Sequence, residues 1–145
     1  MGRNAEAEIR EIVDDRLAAI RDKEAARAMR AIADDVIAFE MVPPLSLPPG
    51  AARDEQAFAA WLASFERIGV EVRDLVIEAD ERIGFARALH HLTGVRVGGA
   101  PLDLWLRSTL CFRRDADGWK IVHAHSSVPF YPGLELKAAL DLKPD

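Results

Sequence analysis

The chain has 145 residues, half of them hydrophobic and 30% charged, a balance that is typical of one globular domain and excludes a disordered chain. The net charge is −5 at pH 7 and no run of lysine or arginine is present, which excludes the basic face that a nucleic-acid partner requires. One cysteine excludes an internal disulfide, and the lack of a signal-peptide or membrane-spanning stretch favours a cytoplasmic protein without a membrane partner.

The first third of the chain has the periodicity of helices. Apolar residues at three- and four-residue steps predict a helix over about 5–21, with Asn4 as its N-cap. Arg16 lies on this apolar stripe, where a charge requires either a partner or a wet cavity. The alternative is that Arg16 lies at the edge of the stripe and reaches water. A short second helix follows, so that residues 1–35 hold two N-terminal helices.

A short strand and a third helix come next. The apolar segment 36–41, with its β-branched start, predicts a strand. It runs into four prolines within 43–49, which exclude a helix or a central strand and predict a stiff loop at the rim of a pocket. The third helix is predicted over 54–68, with Asp54 as its N-cap.

The last half of the chain changes to a period of two. Four long strands with short turn-type connections are predicted within 70–130 and form an antiparallel meander. Residues 131–145 are a tail, either a weak amphipathic helix or a frayed end. Helices followed by a meander predict a single α+β domain, with the helices packed on one face of a curved sheet and an open cavity between the layers.

Two stretches of the sequence resemble a known family. Residues 33–40, Ala-Asp-Asp-Val-Ile-Ala-Phe-Glu, are similar to the junction after the second helix in SnoaL-like and ketosteroid-isomerase-like proteins of the nuclear transport factor two-like superfamily. Residues 117–130, with the pattern Asp-Gly-Trp-x-Ile-Val-His-x-His-x-Ser, are similar to the last strand of SnoaL-like proteins and of the association domain of calmodulin-dependent kinase. The resemblance implies a cone-shaped curved antiparallel sheet wrapped around N-terminal helices, a cystatin-like α+β barrel, with one small-molecule pocket.

The resemblance also implies roles for single positions. The general base of the steroid isomerases falls on Glu40, and a carboxylate with apolar neighbours suits proton abstraction. The family's tyrosine and aspartic acid fall on Arg16 and Thr109, so neither acid donor of those enzymes is present. We therefore do not expect the steroid-isomerase mechanism, because an arginine and a threonine suit an anion that is already charged.

The predicted strand over 102–114 has two different faces. One face is rich in leucine. The other face consists of Asp103, Trp105, Arg107, Thr109 and Cys111. Because the resemblance puts Thr109 in the pocket, the second face is expected to line the cone. The leucines would then lie outside and form a homodimer through the sheets. The opposite assignment, with the leucines inward and Arg107 in solvent, remains open.

The resemblance to the kinase association domain places Arg87 and Ser126 at pocket positions, and His91 shares the strand face of Arg87. Arg87 and Arg107 could converge on one anion, such as a carboxylate. The alternative is that each arginine pairs with a carboxylate of the chain, namely Glu40, Asp103 or Asp74. The candidate ligand-binding set is Arg16, Arg87, His91, Trp105, Arg107, Thr109 and Ser126.

Two functions remain open at this point. The first is an isomerase or lyase in which Glu40 is the catalytic base and a small, anionic organic molecule is the substrate. The second is a non-catalytic ligand-binding or oligomerisation module that resembles the kinase association domain. His123 and His125 have the spacing of two metal ligands on a strand, but no third ligand is evident, so neither a metal nor another cofactor is expected.

Overall fold

The computed structural model describes residues 2–145, and Met1 of the predicted 1–35 segment lies outside the described residues. Within that range three helices and five strands follow one another, with a 3-10 turn at Ala51–Arg53. They are α1 (Gly2–Arg21), α2 (Ala25–Ala28), β1 (Ile32–Phe39), α3 (Glu55–Ala63), β2 (Phe65–Ala79), β3 (Ile83–Arg96), β4 (Pro101–Asp115) and β5 (Gly118–Ser127). None of these helices is both long and apolar enough to cross a membrane.

The five strands form one curved sheet in the order β1-β5-β4-β3-β2. Strands β2 to β5 are antiparallel neighbours in chain order, which confirms the predicted meander. Strand β1 joins at the edge by pairing parallel with β5, with Phe39 opposite His125. Register shifts interrupt the pairing in β1, in β2 and between β4 and β5, and such irregularities bend a sheet. The sheet curves around the helices, which confirms the expected α+β fold.

Helix α1 fills the concave side of the sheet. Its residues Ile9, Val13 and Ile20 are at most 6% exposed, so the predicted stripe is the buried one. Trp119 of β5 donates its indole N–H to the carboxylate of Glu8 in α1 at 2.8 Å, which ties the helix to the sheet. Because α1 begins at Gly2, Asn4 lies inside the helix and the prediction that it is the N-cap is wrong.

The first strand begins earlier than residue 36. Helix α2 is a single turn, and β1 begins at Ile32. Ile32 pairs with Ile121 of β5, and both side chains are at most 6% exposed. The pairing of two buried β-branched residues overrides the helical pattern that predicted a longer second helix.

The third helix ends earlier than residue 68. Asp54 caps α3 as predicted, because its carboxylate accepts the N–H of Ala57 at 3.0 Å. The helix ends at Ala63, since Phe65 already pairs with Arg96 in the sheet and is 1% exposed. Phe65, which falls within the predicted helix 54–68, therefore contributes its ring to the core from a strand.

The tail after β5 is folded, although it is not a helix. Strand β5 ends at Ser127, and beyond it Phe130 forms an isolated antiparallel bridge with Ala138. The N–H of Tyr131 donates to the carbonyl of Lys137 at 2.8 Å. Ala139 is 2% exposed, so the returning segment is packed on the body of the protein.

The leucine face of β4 points toward the helices, opposite to the expectation. Arg107 is exposed on the other side of the strand. The residues that are at most 9% exposed are Leu104, Leu106, Ser108, Leu110 and Phe112. The predicted orientation is therefore wrong and the alternative is confirmed, because burying the more apolar face against the helices removes the most hydrocarbon surface from water. The argument for a homodimer through exposed leucines is removed with it.

Candidate functional site

A cavity of about 370 Å³, named here the inner cavity, lies between α1, α3, the loop after β1 and the inner face of the sheet. Small-molecule sites commonly have volumes of about 300–1,000 Å³. Its walls are mainly apolar and include the aromatic rings of Phe58 and Trp61 from α3. The polar side chains that line it are Arg16, Glu40, His90 and Ser126.

Each of the four polar groups reaches the inner cavity from a different element. Arg16 projects from α1, and Glu40 directly follows the last residue of β1. His90 lies in β3 opposite Leu106, and Ser126 lies near the end of β5 opposite the buried Ser108. Helices and strands hold side chains in place better than loops do, so three of the four positions are set by rigid elements.

Arg16 is the cation of the inner cavity and is incompletely satisfied. Its Nε atom is buried and has no hydrogen-bond partner among residues 2–145. Burial lowers the pKa of the guanidinium, and the negative charge of Glu40 opposes this shift. An arginine nevertheless stays charged at pH 7. The protein therefore keeps a positive charge against apolar walls, an arrangement that costs free energy unless an anion compensates it.

His90 is the second titratable group inside the cavity. Burial, followed by the nearby charge of Arg16, lowers the pKa of His90 from 6.5 to about 4. The imidazole is thus neutral at pH 7, where one ring nitrogen donates a hydrogen bond and the other accepts one. Arg16 consequently remains the cationic group of the cavity at neutral pH.

Glu40 lies at the exposed end of the cavity, beside Met41 and Val42. Within residues 2–145 it has no ion pair with an N···O distance of 4.0 Å or less, and it acts on Arg16 through space. Its oxygens are therefore available to a ligand. Ser126 is partly buried nearby and offers a hydroxyl that can donate or accept a hydrogen bond.

The structure brings three predicted site residues together: Arg16, Glu40 and Ser126. The other five project from the opposite, outer face of the sheet, where cross-strand partners share a face. Those partners are Arg87 with Thr109, and His91 with Trp105, while Arg107 pairs with Leu89. The prediction that Glu40, Arg87, Arg107 and Thr109 share one hollow is wrong, because assigning one residue of a strand to the wrong face reverses the whole strand.

The outer residues have contacts of their own. The rings of His91 and Trp105 are stacked, with centroids 4.5 Å apart and planes 7° apart. The Nε2 atom of His91 lies 2.7 Å from a carboxylate oxygen of Asp103. The Oδ2 atom of Asp74 lies 4.0 Å from the Nε atom of Arg73. Within the described part of the chain, the alternative that Arg87 and Arg107 pair with Asp103, Asp74 or Glu40 is therefore not found either.

Sequence reasoning missed His90 and named its neighbour His91. The two histidines are adjacent in β3 and so lie on opposite faces. Both faces of that strand carry apolar side chains, so alternation alone does not say which histidine is inside. The usable signal was the pairing partner, because His90 lies opposite Leu106 on the leucine face of β4.

The two histidines of β5 have structural partners. His123 contacts the carbonyl of Ile37 through Nδ1 at 2.7 Å. The rings of His123 and His125 pack edge-on against Phe39, with centroid distances of 4.7 and 5.6 Å. In the part of the chain that the structure describes, no group of three or more histidine, cysteine, aspartate or glutamate side chains is arranged to hold a metal ion.

Comparisons with known proteins agree with the fold. The family of SnoaL-like domains matches residues 9–131. Comparison with curated protein sequences gives no match. Among solved structures, an NTF2-like protein of unknown function from Pseudomonas putida KT2440 is 25% identical, with a TM-score of 0.85 over 99% of each chain.

Two more distant structures carry provisional assignments. One is a dehydratase of the NTF2-like family from Streptomyces avermitilis, 14% identical with a TM-score of 0.75, over 88% of this chain and 97% of that chain. The other is a calcium/calmodulin-dependent protein kinase II association domain from Xanthomonas campestris, 17% identical with a TM-score of 0.69, over 88% of each chain. At these identities the likeness concerns the fold alone.

Proposed function

Because the chain belongs to the SnoaL-like family, we propose that the inner cavity binds a small organic anion and that Glu40 is the general base of an isomerase or lyase reaction. The observation that carries this proposal is Arg16, whose buried Nε–H has no hydrogen-bond partner within the described residues. A carboxylate or an enolate oxygen satisfies both the charge and the free donors of a guanidinium.

The proposed chemistry begins with a proton on the carbon next to a carbonyl group. Glu40 takes this proton, and the electron pair of the C–H bond moves onto the carbonyl oxygen to form an enolate. The charge of Arg16 stabilises that oxygen, and neutral His90 can donate a hydrogen bond to it. Return of the proton to another carbon completes an isomerisation, whereas loss of a leaving group from the adjacent carbon completes a lyase reaction.

Anion binding is tested with benzoate and its neutral analogue benzamide, because both place a planar ring between apolar walls. Isothermal titration calorimetry should show benzoate binding to the wild-type protein at least tenfold more tightly than benzamide. Arg16→Met should remove this preference, since it keeps an apolar stem without the charge. Arg107→Met, on the outer face, is the matched control and should retain it. Equal affinities of wild type for the two compounds would remove the proposal.

Proton transfer is tested separately with phenylpyruvate in deuterated water. The wild-type protein should accelerate exchange of the benzylic protons above the buffer rate, as followed by proton NMR. Glu40→Gln should return exchange to the buffer rate while leaving the phenylpyruvate affinity within about twofold, because the amide cannot accept the proton. The same exchange rate with wild type and with Glu40→Gln would rule out Glu40 as the base.

The second candidate function is a binding module without catalysis. The observation that favours it is that Glu40 is exposed and has no ion pair within 4.0 Å among the described residues, because bases are usually held by neighbouring groups. The provisional association domain from Xanthomonas campestris has the same fold. Benzoate binding that depends on Arg16, together with no exchange above the buffer rate, is the result that this candidate predicts.

We also propose that the outer face of the sheet contacts a second copy of the chain. This face carries Trp105 and Phe39 together with exposed charges of both signs, Arg107 on β4 and Glu71 on β2. A two-fold axis can bring such opposite charges together. Light scattering should give a dimer mass at micromolar concentrations, and Arg107→Glu should shift it toward the monomer. A monomer mass for the wild type would exclude this contact.

A further inference from the structure

A second hollow of about 640 Å³, named here the outer groove, lies over the rim of the cone. It runs between the loop after β1 and the chain that follows β5. Its apolar side chains include Leu45 from the loop and Val128 and Phe130 from the other side. Phe130 is 65% exposed and Leu45 is 98% exposed, so these side chains are uncovered within the described residues.

The outer groove and the inner cavity share one wall. Glu40, Met41, Val42 and Ser126 line both spaces. Met41 and Val42 are 43% and 66% exposed, so the apolar part of the shared wall is incompletely covered. A flexible molecule that fills the inner cavity can therefore follow these two apolar side chains into the groove.

The far side of the outer groove is held in place by the folded tail. Phe130 forms a bridge with Ala138, which itself lines the groove. Ala139 is 2% exposed and its N–H donates to the carbonyl of Pro129 at 2.8 Å. The hydroxyl of Tyr131 donates to Asp141. The groove is thus preformed, and an apolar chain that enters it does not first have to order the tail.

The electrostatics of the two spaces differ. The inner cavity holds the cation Arg16, whose buried Nε atom has no hydrogen-bond partner among the described residues. The outer groove is lined by apolar and uncharged side chains apart from two titratable groups, namely Glu40, which both spaces share, and His125, which lines only the groove. A ligand with one anionic end and a long apolar body matches this division. A short polar acid would leave the groove empty, and a doubly charged acid would place its second charge on hydrocarbon.

We propose that the ligand is an amphipathic monocarboxylic acid that is longer than the inner cavity. Its carboxylate lies at Arg16, its chain crosses the wall at Met41 and Val42, and its apolar end lies in the outer groove against Phe130. The carboxylate end of this inference rests on the proposed function, and the apolar end is new.

The test uses straight-chain carboxylates of increasing length: butanoate, octanoate and dodecanoate, each below its micellar concentration. Calorimetry should show affinity rising by about fourfold for each methylene that enters the groove, the factor expected for transfer of one methylene out of water. Phe130→Ser should weaken dodecanoate by about tenfold, because one aromatic contact is lost, and leave butanoate unchanged. Leu134→Ser is the matched control, since Leu134 is a fully exposed tail residue outside the groove.

Three outcomes separate the two proposals. Equal binding of the three acids, with no effect of Phe130→Ser, overturns the long-chain inference but leaves Arg16-dependent butanoate binding intact. Phe130→Ser that lowers the oligomeric mass without weakening dodecanoate also overturns it, because the groove then contacts a second copy. If Arg16→Met leaves the affinity of all three acids unchanged, the proposed function fails and the inference fails with it. Melting temperatures of both serine variants confirm that each is folded.

Discussion

Arg16 is a cation on the apolar stripe of a core helix, and its position has opposite effects on folding and on binding. The side chain is held between α1 and the sheet, and its buried Nε–H has no hydrogen-bond partner among the described residues. In the empty protein this arrangement costs free energy, because a buried donor and charge lose their hydration. An anionic ligand recovers part of that cost, so the same residue that weakens the empty protein strengthens the complex.

Arg16→Met should therefore stabilise the empty protein. We expect the free energy of unfolding, measured by urea denaturation at pH 7, to rise by about 1 kcal/mol or more, since methionine fills a similar volume without a charge. Arg10→Met, at an exposed position of the same helix, should change it by less than about 0.5 kcal/mol. A loss of stability in Arg16→Met larger than in the control would show that the guanidinium is satisfied in solution.

His90 predicts a pH dependence of stability. Its pKa is about 4 in the folded protein and near 6.5 when unfolded, so between these values the unfolded chain binds more protons. Above pH 6.5 His90 is neutral in both states and does not make the stability depend on pH. As the pH drops from 6.5 toward 4, the free energy of unfolding falls, because the unfolded chain gains the proton first. At pH 4.5 the loss should be about 2–3 kcal/mol relative to pH 7, one pKa unit being equivalent to about 1.4 kcal/mol.

The measurement is urea denaturation at the two pH values in wild type and in His90→Asn. The variant should lose less stability than wild type when the pH is lowered. The carboxylates contribute to both proteins alike, so the difference between the two pH profiles reports the contribution of His90. Identical pH profiles for wild type and His90→Asn would show that the imidazole is hydrated in solution.

Two glycines in the neighbouring strands β2 and β3, one crowded and one not, form a matched pair for substitution. A Cβ atom added to Gly94 of β3 would lie 2.7 Å from the backbone carbonyl oxygen of Arg67 and 3.2 Å from the ring of Phe65. A Cβ atom added to Gly69 of β2 would have Thr93 Oγ1 as its nearest neighbour, at an ordinary 3.7 Å. The close approach at Gly94 lets the start of β2 lie tightly on β3, where Phe65 enters the core.

Gly94→Ala should destabilise the protein by about 1–3 kcal/mol, because the backbone oxygen cannot move away as a flexible side chain could. Gly69→Ala should be neutral or slightly stabilising, since it only restricts the unfolded chain. Thermal unfolding of both variants measures the difference. Equal melting temperatures would mean that β2 and β3 can separate locally at no cost.

The elements themselves were largely predictable, and their junctions were not. Helix α1, the Asp54 cap and the four-strand meander follow from local periodicity and turn residues, which act within a few positions of the chain. The starts of β1 and β2 depend on Ile32 pairing with Ile121 and on Phe65 pairing with Arg96. Such pairings join residues far apart in sequence, and a local pattern carries no information about them.

The candidate site was predictable to a similar degree. Arg16 was identified as a candidate by its place on an apolar stripe, and Glu40 and Ser126 were identified by resemblance to a family. The residues of β3 and β4 were assigned to the wrong face because the resemblance at Thr109 was given more weight than the apolar leucine face of β4. Deciding between them requires knowing which face the helices cover, a property of the assembled layers rather than of the strand.

The strand order predicts how stability is distributed over the molecule. Strand β4 is central in the order β1-β5-β4-β3-β2, whereas β1 and β2 are the edges. Amide hydrogen exchange followed by mass spectrometry should therefore be slowest in peptides from β4 and at least tenfold faster in β1 and β2, because edge strands open without disrupting the rest of the sheet. Slowest exchange in β1 would indicate that an unseen neighbour covers that edge.

The parallel pairing of β1 with β5 has a consequence for biosynthesis. Residues 32–39 are made before the whole meander, whereas their partner, residues 118–127, is its last strand. Until β5 has been made, β1 lacks its partner in the sheet, and closing so long a loop is slow compared with forming the hairpins of the meander. Two adjacent aspartates, Asp34 and Asp35, lie exposed on β1. Their negative charges disfavour pairing of β1 with other nascent chains before β5 is available.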